Sequence, residues 1–186
     1  MIREGYFGID EEPIRIAGGY SEVQRSYDEK GNVIEQRYCD EKGNLINGTE
    51  GYAVVYREYD GLKRVTAERY EDSDSVPAVL PRGYSAYRRE YDDQGNICWQ
   101  WYFDGDGERI LLSDGYSGLH QLYNERKQVV REEYYGTDGK PILMPRGYAS
   151  VEREYDEAGN VTVQRYYDLD GNPVIQMPGG NTSAEE

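Results

Sequence analysis

Residues 19–50 read GYSEVQRSYDEKGNVIEQRYCDEKGNLINGTE, and the same thirty-two-residue plan returns along the rest of the chain. Its opening pair recurs in step, as Gly19-Tyr20, Gly51-Tyr52, Gly83-Tyr84, Gly115-Tyr116 and Gly147-Tyr148. Self-similarity at a period between about 20 and 50 residues marks supersecondary units that bury their apolar faces only against one another. Inside each unit lies a shorter echo. Tyr27-Asp28-Glu29-Lys30-Gly31-Asn32 is answered by Cys39-Asp40-Glu41-Lys42-Gly43-Asn44. Asp opening a turn, two polar residues and then a left-handed Gly is the chemistry of a type I turn closed by a G1 bulge. The unit therefore reads as strand, turn, strand, turn, short strand.

The stretches between turns alternate as half-buried strands do, with Ser21, Val23, Arg25 and Tyr27 on one side and Glu22, Gln24 and Ser26 on the other. Helical spacing and helix caps are absent from the pattern. Met144-Pro145-Arg146-Gly147 and Leu80-Pro81-Arg82-Gly83 precede the Gly-Tyr pair, and Pro followed by Gly predicts a tight corner into the next unit. The expected fold is all-β: a tandem β-hairpin array forming an elongated, twisted, solenoid-like body. No linker separates the units, so residues 1–178 are expected to be one repeat domain. It holds a partial unit at 1–18, full units at 19–50, 51–82, 83–114, 115–146 and 147–178, and a polar tail at 179–186. Opening in mid-repeat is what a segment of something longer would do.

Two further tyrosine columns accompany the Gly-Tyr column: Tyr27, Tyr59, Tyr91, Tyr123, Tyr155, and Tyr6, Tyr38, Tyr70, Tyr102, Tyr134, Tyr166. A phenol packs its ring while its hydroxyl stays at water or bonds to backbone, which suits a thin body where nearly every residue lies near solvent. Val33, Val65, Ile97, Val129 and Val161, with Ile46, Ala78, Ile110, Ile142 and Val174, form the apolar columns expected to be the core. Arg25, Arg57, Arg89 and Arg153 alternate with the tyrosines and are read as structural ladders covering rings or pairing with acids, rather than as anion sites.

A net charge of −15 opposes nucleic acid and anionic lipid at long range. No window has the apolar length of a membrane span, and no signal peptide leads the chain, so direct membrane insertion is not expected. Cys39 and Cys98 fall in different columns and read as unpaired thiols. Asn47-Gly48-Thr49 and Asn181-Thr182-Ser183 are glycosylation sequons that matter only along a eukaryotic secretory route.

Catalytic patterns are missing. Gly115-Tyr116-Ser117-Gly118 lacks the spacing of a nucleophile elbow, and the single histidine, His120, occupies a variable outward column. No enzyme activity and no cofactor are expected. Asp104-Gly105-Asp106-Gly107 and Asp168-Leu169-Asp170-Gly171 resemble the start of a calcium loop, which makes Asp104, Asp106, Asp168 and Asp170 the metal candidates. The pattern breaks in the other units, and turn chemistry is the favoured reading. Trp99, Trp101 and Phe103, spaced by two on one strand, interrupt the repeat where the first unit has Glu35, Arg37 and Cys39. An aromatic row of this kind stacks on sugars or meets an apolar protein surface, with Tyr87 and Tyr135 as further candidates. Packing into space that other units fill with Arg and Tyr is the competing reading.

Tyr155-Asp156-Glu157-Ala158-Gly159-Asn160 and Tyr166-Tyr167-Asp168-Leu169-Asp170-Gly171-Asn172-Pro173 give the chain a family likeness. It resembles the tyrosine-rich hairpin repeats of bacterial surface proteins, nearest the YD-repeat (RHS-type) group and more loosely the choline- and glucan-binding repeats. The resemblance implies a bacterial extracellular or envelope setting and a role in adhesion, wall or sugar binding, or enclosure of a toxin. The thirty-two-residue unit and Pro-Arg-Gly corner depart from those families, as does the lack of a tryptophan pair per repeat. No site residue is carried over. The function expected is recognition of a glycan or protein, with a structural spacer as the alternative and a calcium-dependent surface module third.

Overall fold

The computed structural model describes residues 1–174. The expected tail at 179–186 and the sequon at Asn181 lie outside the described residues. The fold is all-β, a single open sheet of regular hairpins whose strands neighbour one another in chain order from β1 to β11. They are β1 (Ile2–Gly5), β2 (Glu22–Tyr27), β3 (Val33–Cys39), β4 (Val54–Tyr59), β5 (Val65–Glu71), β6 (Ala86–Tyr91), β7 (Ile97–Phe103), β8 (Gly118–Tyr123), β9 (Val129–Tyr135), β10 (Ser150–Tyr155) and β11 (Val161–Tyr167). The pairings run antiparallel, and the hairpin register shifts by one residue at Ser26/Tyr27, Glu58/Tyr59, Leu122/Tyr123 and Glu154/Tyr155. Contacts divide the chain into two compact units, one of Met1–Arg89 with Tyr102–Glu108, the other of Glu90–Trp101 with the chain from Arg109 on.

The turns form as the sequence dictates. Gly31 N–H donates to the Asp28 carbonyl at 3.1 Å, Asp28 N–H donates to the Asn32 carbonyl at 3.0 Å, and Gly31 has φ +80°. Asp28 Oδ1 accepts the N–H groups of Lys30 and Asn32 at 2.9 and 2.8 Å, so the carboxylate replaces the partners the turn backbone would otherwise lack. The Pro-Arg-Gly corner repeats this geometry with proline presetting the second position. Gly83 N–H donates to the Leu80 carbonyl at 2.8 Å, and Gly83 has φ +95°.

Past each hairpin the chain folds back over one face of the sheet. Ile46, Ala78 and Ile142 donate their N–H groups to the carbonyls of Tyr38, Tyr70 and Tyr134, each at 3.0 Å. This brings the next Gly-Tyr ring beside the strand tyrosines. In the first unit the rings run Tyr6, Tyr20, Tyr38, Tyr52, Tyr70, Tyr84, Tyr102, with successive centroids 4.4 to 6.2 Å apart. In the second unit Tyr116, Tyr134, Tyr148 and Tyr166 follow at 5.4, 5.8 and 5.0 Å. Burial pushes the Tyr70 and Tyr134 phenols well above their ordinary pKa, with the carboxylates of Glu68 and Glu132 adding to the effect. The third tyrosine column joins hairpins differently: the hydroxyls of Tyr59, Tyr123 and Tyr155 donate to the carbonyls of Val33, Ile97 and Val129 at 2.7–2.9 Å.

Two expectations need correction. The short third strand is reduced to isolated bridges, at Cys39↔Leu45 as at Glu71↔Pro77, Tyr135↔Pro141 and Tyr167↔Pro173; at the last three, proline has no N–H with which to extend the pairing. The core also lies elsewhere. Of the expected apolar columns only Ala78 is buried; Val33, Val65, Ile97 and Val129 are half-buried and Val161 is exposed. They sit beside the hairpin turns, where the neighbouring unit covers least. The true core is the column Val23, Val55, Tyr87, Val151 with Leu80, Leu112 and Met144 from the corners.

Beside it runs a column of small residues, Ser21, Ala53, Ser85, Ser117 and Ala149, all buried. Ser21, Ala53, Ser85 and Ala149 are clamped between strands on both sides, and Ser117 N–H donates to the Tyr135 carbonyl at 2.8 Å. Ala53 donates to the Glu71 carbonyl and accepts from Tyr38 N–H, both at 2.8 Å. The arginine columns are ladders, as expected: Arg57 pairs with Glu68, Arg153 with Glu132 and Arg25 with Glu4, while Arg89 lies 4.0 Å over the Tyr87 ring. Cys39 is buried, Cys98 half-buried, and both are free thiols.

The hydroxyls of Ser21, Ser85 and Ser117 are buried with no hydrogen-bond partner among the described protein atoms. Alanine already fills the column at Ala53 and Ala149. The triple variant Ser21→Ala, Ser85→Ala, Ser117→Ala is therefore expected to be more stable, by about 1 kcal/mol per site, in urea denaturation; a lower midpoint than that of the native chain would refute this. A second expectation concerns acid. Asp28, Asp40, Asp60, Asp92, Asp156 and Asp168 are held below the ordinary aspartate range, with turn N–H groups and the side chain at the turn's close as the lowering causes. Their stabilisation is complete above the unfolded value near 4 and disappears as pH falls through the lower folded values. Asn124 makes the same turn bonds without a charge, its Oδ1 accepting from Arg126 and Gln128 N–H at 3.0 Å. Replacing Asp28, Asp92 and Asp156 by Asn should thus flatten the loss of stability on acidification below about pH 4, measured by circular dichroism across a pH series.

Candidate functional site

The aromatic break in the repeat is built by three neighbouring strands of the second unit. Trp99 lies opposite His120 and Trp101 opposite Gly118 in the β7–β8 pairing, while Gly118 lies opposite Tyr135 and His120 opposite Glu133 in β8–β9. All these side chains share the sheet face opposite the tyrosine file, since alternation along each strand fixes the side. Gly118 stands where other units carry Glu22, Val54, Ala86 and Ser150. Its lack of a side chain lets the Trp101 ring lie flat across β8: a Cβ there would sit 2.3 Å from Trp101 Cζ3.

Trp99 and Trp101 are parallel, 5° apart, with centroids separated by 5.6 Å. His120 stacks on Trp99 at 4.3 Å, Tyr135 tilts against both indoles at 4.8 and 5.9 Å, and the Arg109 guanidinium lies 3.8 Å over Trp101. The order is thus guanidinium, indole, indole, imidazole. Arg109 is exposed, and the two indoles, His120 and Tyr135 are half-buried.

Charge is compensated around the stack. His120 Nδ1 lies 2.9 Å from Glu133 Oε2, Arg131 pairs with the same carboxylate at 2.9 Å, and Arg131 also reaches Glu152 at 2.7 Å. Partial burial works to raise the Glu133 pKa, but the hydrogen bonds and charges of His120 and Arg131 outweigh it and hold the carboxyl below its usual range. The Tyr135 phenol is pushed up by burial and by the Glu133 charge. The half-buried indoles thus lie beside the exposed guanidinium of Arg109.

Trp99, Trp101 and Tyr135 are thereby brought together. Phe103 and Tyr87 belong to the first unit, Phe103 half-buried with the Arg88 guanidinium 5.7 Å from its ring and Tyr87 buried beneath Arg89. Of the carboxylates proposed for calcium, those of Asp104 and Asp168 are engaged in turns, whereas Asp106 and Asp170 enter these turns through their backbone N–H groups and are exposed. Asp104 Oδ1 accepts from Asp106 and Glu108 N–H at 3.0 and 2.9 Å, and Asp168 Oδ1 from Asp170 and Asn172 N–H at 2.9 and 2.8 Å. Among the described residues no three His, Cys, Asp or Glu side chains converge on a metal position. The sequence did not nominate Arg109, Gly118, His120 or Glu133. A glycine inside a strand, two positions before the one histidine and in the repeat that follows two tryptophans, was the available signal.

No protein-family profile matches the chain, and no curated protein matches it. Among solved structures, the Tc holotoxin pore of Photorhabdus luminescens contains a stretch aligning with 82% of this chain at 15% identity and a TM-score of 0.39. The present chain spans 9% of the length of that one.

Proposed function

We propose that the chain is a non-catalytic repeat module presenting an aromatic and acidic surface for recognition of a protein or carbohydrate on a bacterial cell exterior. The observation that carries this reading is the Arg109–Trp101–Trp99–His120 stack, built where the repeat departs from its own plan. Tryptophan and arginine are the residue types most concentrated at binding hot spots. One face of Trp101 is covered by Arg109 and one face of Trp99 by His120, which favours a protein surface over direct stacking of a sugar. A sugar would first displace Arg109, the one exposed member. The resemblance to tyrosine-aspartate hairpin repeats supports the envelope setting, and a charge of −15 weighs against nucleic acid and anionic membrane.

A structural spacer is the second reading, favoured by the half-burial of both indoles and the fit of Trp101 over Gly118. Arg109→Ala separates these readings, because an exposed side chain is removed with a cost to stability of about 0.5 kcal/mol or less. Native chain and variant are probed on a glycan array and on an array of purified bacterial envelope proteins. A protein ligand lost about ten-fold or more in the variant, with an unchanged melting midpoint, is the expected result; a glycan bound more tightly by the variant selects the carbohydrate form. Absence of any ligand for either chain, with Trp99→Ala, Trp101→Ala merely unfolding, leaves the spacer.

A further inference from the structure

A second break in the repeat lies in the first unit, on the same sheet face as the strand residues Tyr56 and Arg69. The column Glu35, Ala67, Trp99, Arg131, Val163 has its one small residue at Ala67, and the column Glu22, Val54, Ala86, Gly118, Ser150 has alanine at the neighbouring position. Two short side chains on adjacent strands open a hollow of about 340 Å³, floored by Ala67 and Ala86 and walled by Tyr56 and Phe103.

Its ends carry opposite charge. Ala67 lies directly opposite Glu58 in the β4–β5 pairing and directly opposite Arg88 in β5–β6, so carboxylate, methyl and guanidinium form one row across three strands. Strands are spaced by about 4.8 Å, which sets the Glu58 and Arg88 backbones about 10 Å apart with an apolar step between them. Both side chains are exposed, and among the described residues neither has an ion-pair partner. The other guanidinium groups lining the hollow are committed: Arg57 pairs with Glu68, and Arg69 pairs with Glu71 and lies 4.0 Å over the Tyr56 ring. The remaining contact of Arg88 is with Phe103, its guanidinium 5.7 Å from the ring centroid.

We propose that this hollow is a binding site for an ω-amino carboxylate, the chemistry found in free ω-amino acids and at the end of a chain terminating in lysine. The ligand's carboxylate meets Arg88, its ammonium meets Glu58, and its methylenes rest on Ala67 and Ala86 between the rings of Tyr56 and Phe103. Such a ligand has no net charge, so the −15 of the protein does not repel it at long range as it would an anion. Each end finds a charged partner whose hydrogen bonds are stronger than those between neutral groups.

Calorimetric titration of the whole chain with ε-aminocaproate and tranexamic acid tests the site, with hexanoate and hexylamine as controls lacking one charge. Both ω-amino acids are expected to bind, each control about ten-fold or more weaker. Arg88→Gln and Glu58→Gln should each weaken ε-aminocaproate by about ten-fold or more, while Lys140→Gln at an exposed lysine outside both sites leaves it unchanged; titration reads the hollow and the arrays read the aromatic stack, so failure here is distinct from failure of the recognition surface in the second unit. Ala67→Glu restores the residue that the repeat at 19–50 carries as Glu35, fills the hollow and should abolish binding with the β circular dichroism spectrum intact. A peptide ending in lysine and its C-terminal amide distinguish the sources: binding of the free acid alone assigns a chain end, and binding of ε-aminocaproate without the peptide assigns a free small molecule. The proposal is overturned if neither ω-amino acid binds, if hexanoate or the amidated peptide binds as tightly, or if both charge variants bind normally.

Discussion

Ring contact between consecutive hairpins is the interaction on which this protein depends. A two-stranded hairpin is marginal in water by itself, since it has no second layer against which to bury a face. Here the chain supplies that layer by folding each Gly-Tyr corner back over the strands, so that the Tyr52 ring lies between Tyr38 and Tyr70. Each such pair is worth about 0.5 to 1.5 kcal/mol beyond the area it buries. The contribution is spread along the array instead of concentrated in one centre. A chain with 20 tyrosines and 2 phenylalanines can build this layer because the phenol tolerates an edge position: its ring is covered and its hydroxyl meets a carboxylate, an amide or a carbonyl.

The rest of the unit serves that contact. Left-handed glycines at the corners aim the next tyrosine inward, and the small column behind it keeps strand and corner close enough for the rings to touch. Tyrosine hydroxyls reaching the carbonyl at the neighbouring hairpin's turn fix the register between hairpins, as ladder hydrogen bonds do within one. The acidic surplus falls partly in the turns, where carboxylates accept backbone N–H groups, and partly on the strands, where they pair with arginine. Acidity is thus a working part of the architecture as well as a source of solubility.

Because the tyrosine side carries the fold, the opposite face is free to vary from unit to unit. The structure uses that freedom in two ways. In the second unit a glycine and two tryptophans produce a stacked aromatic block with a guanidinium on its exposed side. In the first unit two alanines leave a hollow between a tyrosine and a phenylalanine, with charge at either end. Both arise from substitutions at the same two columns, Ala67 and Trp99 in one, Ala86 and Gly118 in the other. One column position thus becomes a cavity or a block according to the size of the side chain placed there.

From sequence alone, the period, the hairpin turns, the proline corner and the tyrosine columns were legible, because each is set by local chemistry. A turn needing a positive φ favours glycine, although Lys63, Ser75 and Lys127 take the same position in their repeats, and an alternating strand reveals its two sides. The identity of the core was not legible. Val33 looks as apolar as Val23, and only the packing of the return segment decides that Val23 is covered while Val33 lies at a hairpin tip. The short third strand dissolved into single bridges, at Leu45 as well as at the prolines. At the aromatic break the sequence located Trp99 and Trp101 but not Arg109, His120 or Glu133, which join through cross-strand register and the folding of the next corner. Register and cover are relations between segments distant in the chain, so they come into being only once the hairpins have stacked.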